Sequence, residues 1–203
     1  MNYNLESKIN GYTITRNEYD EIVALIIDSN ISTVNSSFAF SAITRLVIPD
    51  NVLFIWDNAF INCHVLEKLV LGKNLLFIGN NSFQGAILKK LIFPNSLTFI
   101  GREAFADADL ETVQFGSGLQ EIGACAFFNN DLSEITLPNN LNSIQDEAFS
   151  GNRIEKITIP NSVVTIGNGA FANNELQDLK IPIRFKYDIE RICGSIPQRV
   201  EFY

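Results

Sequence analysis

Histidine, methionine and tryptophan occur once each in the 203 residues, and cysteine three times. Cys63, Cys125 and Cys193 are an odd, sparse set with no C-x-x-C pair, so neither a disulfide framework nor a closed zinc site can be built from them. They read as buried free thiols. His64 follows Cys63 directly on an expected turn, which is poor geometry for a nucleophile and its base. Acidic residues are scattered without a recurring pair, and no P-loop, G-x-G-x-x-G or metal-ligand spacing occurs. No catalytic residue, metal or cofactor is therefore expected. Positive charge is also scarce, with 15 Lys and Arg against 23 Asp and Glu, a net charge of −8 and a pI near 4.7. Nucleic acid rewards clustered cations and is excluded as a partner. No apolar run is long enough to span a bilayer, so membrane insertion is excluded too. With 12 Gly and 6 Pro spread through the chain, no linker divides it, and a single domain is expected.

What the chain has in place of motifs is a beat. Phe60, Phe83, Phe105, Phe127, Phe149 and Phe171 stand 23, 22, 22, 22 and 22 residues apart, each after Ala except Phe83, which follows Ser. Ile43, Leu66, Leu88, Leu110, Leu132, Ile154 and Leu176 keep the same period, as do the pairs that run from Leu46 and Ile48 to Leu179 and Ile181. Pro closes five of those pairs, and Gly72 and Gly116 close the other two. The unit reads L-x-x-L-x-I-P-x-x-V-x-x-I-G-x-x-A-F-x-x-N. A fixed period in the low twenties is one supersecondary unit copied end to end, a solenoid.

Each position has a physical role. The L-x-I pair alternates with period two and predicts a short strand with one buried face. Pro ends that strand, because it cannot donate to a ladder. V-x-x-I-G predicts a second short buried stretch and a tight turn. Stacked copies would align the Phe rings into an internal spine. Asn130, Asn152 and Asn174 suit a turn that makes its own side-chain hydrogen bonds. Ile22, Leu25 and Ile27 match the strand pattern one period earlier, and Val200 and Phe202 one period later. The expected fold is a mainly β repeat solenoid of about nine rungs of 21–23 residues, its short strands forming a curved parallel sheet roughly 38 Å long at ~4.8 Å per rung.

These motifs resemble the BspA-like class of bacterial leucine-rich repeats over residues 22–182. The resemblance implies a right-handed coil. It also implies a surface or secreted protein that binds other proteins or host surfaces. Residues 1–21 are expected to cap the first rung. There Tyr12 and Ile14 alternate as a short strand, and Thr15-x-x-Glu18 has capping-box spacing. Residues 183–203 are expected to form a second cap, with Tyr187, Ile189 and Ile192 on one face of a short helix before Pro197. The chain stops on the strand Val200–Phe202, an edge that invites pairing with another chain. Met1–Asn10 has no basic segment leading into an apolar stretch. That leaves two expectations for the compartment, cytoplasmic or exported with a leader removed.

The outward positions change character along the chain. Between the two buried strand residues stand Ile26, Val47, Val70 and Ile92, then Gln114, Thr136, Thr158, Lys180 and Glu201. Before the I-G isoleucine stand Phe54, Phe77 and Phe99, then Glu121, Ser143 and Thr165. Before the strand pair stand Arg45, Lys68 and Lys90, then a mixed set. Trp56 takes the Gly position beside Phe54. The candidate partner-binding residues are thus Arg45, Val47, Phe54, Trp56, Lys68, Val70, Lys90, Ile92, Phe77 and Phe99, an apolar and basic surface on the N-terminal half. The partner expected is a protein or cell-surface ligand with acidic groups. Two alternatives remain open from the sequence. Copies of the chain could assemble through these ladders or the terminal strand, or the ladders could serve only rung stacking, with residues 1–21 folded over the Phe row.

Overall fold

A computed structural model describes residues 5–9, 11–16, 22–35 and 38–203. The architecture is a curved, mostly parallel β-solenoid of about eight turns. One side of the coil is a seven-stranded parallel sheet of two-residue strands, running from Thr33–Val34 through Phe54–Ile55, Phe77–Ile78, Phe99–Ile100, Glu121–Ile122 and Ser143–Ile144 to Thr165–Ile166. These are the V-x-x-I segments, and they make the longest continuous sheet among the described residues. The L-x-I strands lie on a separate stretch of the coil and pair in shorter groups: Arg45–Val47 with Lys68–Val70, Lys90–Ile92 with Thr112–Gln114, and Lys156–Thr158 with Asp178–Ile181 and Arg199–Phe202. The sequence pattern places both strands correctly. It does not foresee that the shorter one carries the continuous ladder.

The core is the expected Phe spine. Rings of Phe60, Phe83, Phe105, Phe127, Phe149 and Phe171 are fully buried and stack nearly parallel, with neighbouring centroids 5.3 to 5.6 Å apart. The stack begins one rung earlier than the sequence beat suggested, at Phe38, whose ring lies 5.7 Å from Phe60. Tyr12 closes that end, edge-on to Phe38 at 4.9 Å, with its hydroxyl donating to the Thr33 carbonyl. Phe93 and Phe115, from the ends of the L-x-I strands, meet the spine edge-on. The buried Ala before most of these rings leaves room for the ring of the next rung.

Three further features set the rung. The carbonyl of the Pro or Gly after each strand accepts the turn bond from three residues on, as from Val52 to Pro49 at 3.1 Å and from Leu97 to Pro94 at 3.2 Å. Residues two before and two after the spine Phe repeatedly adopt positive φ, including Asn58, Asn62, Asn81, Asn129 and Asn173, which suit it, and Glu103, Cys125 and Glu147, which do not. Glycine of the I-G pair is required by close approach of backbones: a Cβ at Gly101 would stand 2.6 Å from the Gly79 carbonyl carbon.

Both ends differ in detail from expectation. Tyr12–Arg16 pairs antiparallel with Leu5–Ile9 and with Ile22–Ile27, so the segment that the sequence suggests as the first rung also closes an antiparallel ribbon. Leu25 and Ile27 are buried and Ile26 outward, as the repeat phase requires. Thr15 lies inside a strand, and its capping-box partner Glu18 lies outside the described residues. At the other end a 3-10 turn, Ile183–Phe185, precedes the helix Ile189–Cys193. Ile189 and Ile192 face the core as expected, but Tyr187 precedes the helix and is 93% exposed, because the helix starts only after Asp188. The Phe171 amide donates to the Ile192 carbonyl at 3.0 Å, which ties this helix to the last ring of the spine.

Candidate functional site

The L-x-I strands present the alternation that the sequence predicts. Leu46 and Leu91 are buried, while Ile26, Val47, Val70 and Ile92 are 63%, 45%, 50% and 54% exposed. Parallel register places Arg45 beside Lys68 and Val47 beside Val70. Shallow depressions between rungs are lined by Arg45, Val47, Lys68, Val70, Lys90 and Ile92, together with Ile26 and Leu71. None of the Phe row lines them. The candidate residues therefore fall on two faces.

Electrostatics separate the halves of the L-x-I face. On the C-terminal rungs Lys156 and Arg199 both reach Asp178, at 3.7 and 3.5 Å, and Lys180 reaches Glu201 at 2.9 Å. Among the described residues Arg45, Lys68 and Lys90 have no carboxylate partner within ion-pair distance. Three exposed cations thus flank an exposed aliphatic row and remain uncompensated, while the equivalent cations further along are neutralised by neighbours.

The second face lies on the seven-stranded sheet. Phe77 stacks on Phe99 at 4.9 Å with planes 4° apart, and Trp56 sits 5.9 Å from Phe54 and 5.7 Å from Phe77. Trp56 is 46% exposed, and the three Phe rings are half-buried. Leu53 and Leu76, which the sequence reading passed over, are half-buried beside them. Stacked rings spend their faces on one another and offer edges outward, so the row makes a ridge of apolar edges. It does not make a flat platform for a planar ligand. The column next to it is ordered: Asp57 accepts from the Asn80 amide and side chain at 2.7 and 3.0 Å, and Asn80 accepts from the Arg102 amide at 2.8 Å.

The three cysteines are free. Cys63 is buried and occupies the column that Asn130 and Asn152 fill elsewhere, donating to the Phe38 carbonyl at 3.3 Å. Burial pushes its thiol pKa up, and pushes Cys193 up to about 12. Cys125 departs from the expectation of burial: it is half-exposed at a positive φ, and its pKa is raised by desolvation and then by the Glu147 and Glu103 carboxylates. All three are held as neutral thiols, the unreactive form. A thiol titration of the native protein near pH 8 should show no fast phase, with Cys125 reacting slowly first and Cys63 and Cys193 reacting only in denaturant. A rapid native phase would contradict this placement. Among the described residues no group of three or more His, Cys, Asp or Glu is arranged to hold a metal ion, and no helix is long and apolar enough to cross a membrane.

The profile described as "BspA type Leucine rich repeat region (6 copies)" matches residues 11–87, 29–143 and 76–190. The chain belongs to the BspA-type leucine-rich repeat family. Among solved structures, a leucine-rich cell surface protein from Faecalibacterium prausnitzii A2-165 is 17% identical, with 98% of this chain and 76% of that one covered and a TM-score of 0.44. A leucine-rich repeat protein from Bacteroides ovatus ATCC 8483 is 17% identical over 100% and 75%, with a TM-score of 0.39. The pneumococcal vaccine antigen PcpA is 20% identical over 75% of this chain and 54% of its own, with a TM-score of 0.38. No curated protein sequence matches the chain. The BspA-type repeat accounts for the recurring Pro, I-G and A-F positions together, and the outward residues, where the candidate site lies, differ from rung to rung of this chain.

Proposed function

We infer that this BspA-type solenoid is a non-catalytic binding module for a protein or cell-surface ligand. It acts at or beyond a bacterial cell surface and engages the ligand through its N-terminal L-x-I face. The observation that carries this reading is the row of unpaired cations, Arg45, Lys68 and Lys90, beside exposed Val47, Val70 and Ile92. The ligand it fits is extended, with apolar side chains at every second position and carboxylates on the flank. Apolar contact supplies affinity, and the cations supply steering and register. The family resemblance supports the surface compartment.

The test uses a labelled peptide of alternating Val and Glu as the probe, followed by anisotropy. Binding should weaken with added salt, and should fall about tenfold or more when Arg45, Lys68 and Lys90 are all changed to Glu. Because these side chains are exposed and unpaired, thermal stability should move by no more than about 0.5 kcal/mol for each. Equal binding by the triple variant would overturn the assignment of this face.

A further inference from the structure

We propose that the aromatic ridge on the seven-stranded sheet is a self-association face, and that two copies of this chain pack there antiparallel about a two-fold axis over Phe77. This is independent of the ligand reading, which uses the other face.

The argument is one of symmetry and charge. In an isologous contact each residue meets the residue related to it by the axis. Consider an axis that lies in the contact plane, runs parallel to the strands and crosses the Phe77 rung. It reverses the order of rungs and keeps position along each strand. Parallel register aligns Phe54, Phe77 and Phe99 in one row. Phe54 therefore faces Phe99 of the second copy, and Phe77 faces itself. Leu76 does the same, and Trp56 lies over Gly101 of the second copy, beside its Phe99. All these positions are uncharged, on a chain whose net charge of −8 makes copies repel elsewhere.

The border of the ridge is complementary under the same operation. Asp57 and Arg102 stand three residues after Phe54 and Phe99, so each faces the other across the axis, twice, and Asn80 faces itself. The hydrogen bonds along this column hold it in place. Arg102 engages Glu103 through Nε at 2.9 Å, which leaves its two terminal nitrogens for the carboxylate of a second copy. On the opposite border Lys73 faces its own image, and Asp50 neutralises it within each copy at 2.8 Å. The L-x-I face fails the same operation. An axis over Lys68 would set Arg45 against Lys90 and Lys68 against its own image, so that face suits a different, acidic partner.

Three rungs of ridge make a small interface, so the dimer is weak and concentration-dependent. Trp56 is the only tryptophan and sits in the ridge, so its emission reports on this face. The experiment is sedimentation of the full chain from micromolar to millimolar concentration, with Trp56 emission read on the same samples. The mass should rise toward the dimer, and the emission should shift to the blue over the same range. Arg102→Glu should raise the dissociation constant about tenfold, and combining it with Asp57→Arg should restore it. A monomer at every concentration would overturn the proposal. So would self-association that leaves Trp56 emission unmoved and survives Leu53→Asp. Thermal unfolding of each variant separates loss of contact from loss of fold. Peptide binding by the monomeric variants should persist, which keeps the two readings distinguishable.

Discussion

Phe127→Ala should lower the stability of the solenoid by about 3–5 kcal/mol, the largest effect expected of any single truncation in the chain. Its ring is fully buried and touches four others. Phe105 and Phe149 stack on its two faces at 5.6 and 5.3 Å, and Phe93 and Phe115 meet it edge-on at 6.0 and 5.5 Å. Truncation removes the transfer free energy of the ring and opens a void. The neighbours cannot fill that void, because each is fixed to its own rung by the ladder. The cost should exceed that of Phe38→Ala at the end of the stack. Phe38 has one stacked ring and one edge contact, from Tyr12. Denaturant unfolding of both variants, compared by midpoint and slope, checks the ranking. An unchanged midpoint for Phe127→Ala would remove the Phe spine as the organising core. In a repeat array the same mutation should also divide the cooperative unit, because stability passes only between neighbouring rungs.

Much of this fold is legible in the sequence because a solenoid converts period into contact. Two residues 22 apart are spatial neighbours, so the Phe beat predicts a stack and the L-x-I beat predicts which side chains point outward. Val47, Val70 and Ile92 are exposed for that reason. What escapes the pattern is set by contacts between rungs that residue type does not announce. Phe38 belongs to the stack and stands 22 residues before Phe60, but the Ala39-Phe40 pair just after it offers the A-F motif out of phase and hides it. Gly101 looks like a turn glycine, and its actual reason is the 2.6 Å approach to Gly79. Cys125 sits where other rungs place Asn or Glu at positive φ, and that outward turn makes it half-exposed. The division of the candidate residues into two faces depends on where the coil bends between the two strands. The charge contrast along the L-x-I face depends on which neighbours meet: Asp178 stands between Lys156 and Arg199, whereas among the described residues Glu67, beside Arg45, Lys68 and Lys90, makes no ion pair with them.

Asn152→Ala should cost about 1–3 kcal/mol, the next largest effect. The side chain is nearly fully buried and joins the backbone of two successive rungs. Its Oδ1 accepts from the Leu132 amide at 3.1 Å, and its Nδ2 donates to the carbonyls of Phe127 and Phe149 at 2.9 and 3.0 Å. Alanine would leave the Leu132 amide and the Phe127 carbonyl inside the coil without this partner, while the Phe149 carbonyl keeps the Asn174 side chain at 2.8 Å. The chain contains its own comparison. At Ala108, in the same column, the Leu88 amide reaches the Ala108 carbonyl at 2.9 Å, so that turn solves the problem with backbone alone. Relaxation of the variant toward that arrangement sets the lower end of the range. Asn152→Asp separates the two halves of the side chain's work. A carboxylate still accepts from Leu132, but it cannot donate to either carbonyl and must be buried charged or protonated. Asp should therefore be at least as harmful as Ala at neutral pH. Part of the loss should return on acidification, because burial without a cation raises the carboxyl pKa in the fold, and a protonated carboxyl can donate once. Unfolding of the three proteins at neutral and mildly acidic pH gives the answer. If Asp matched wild type at neutral pH, the donor half of the asparagine column would carry no weight, and the link between rungs would have to rest on the Phe spine and the short ladders alone.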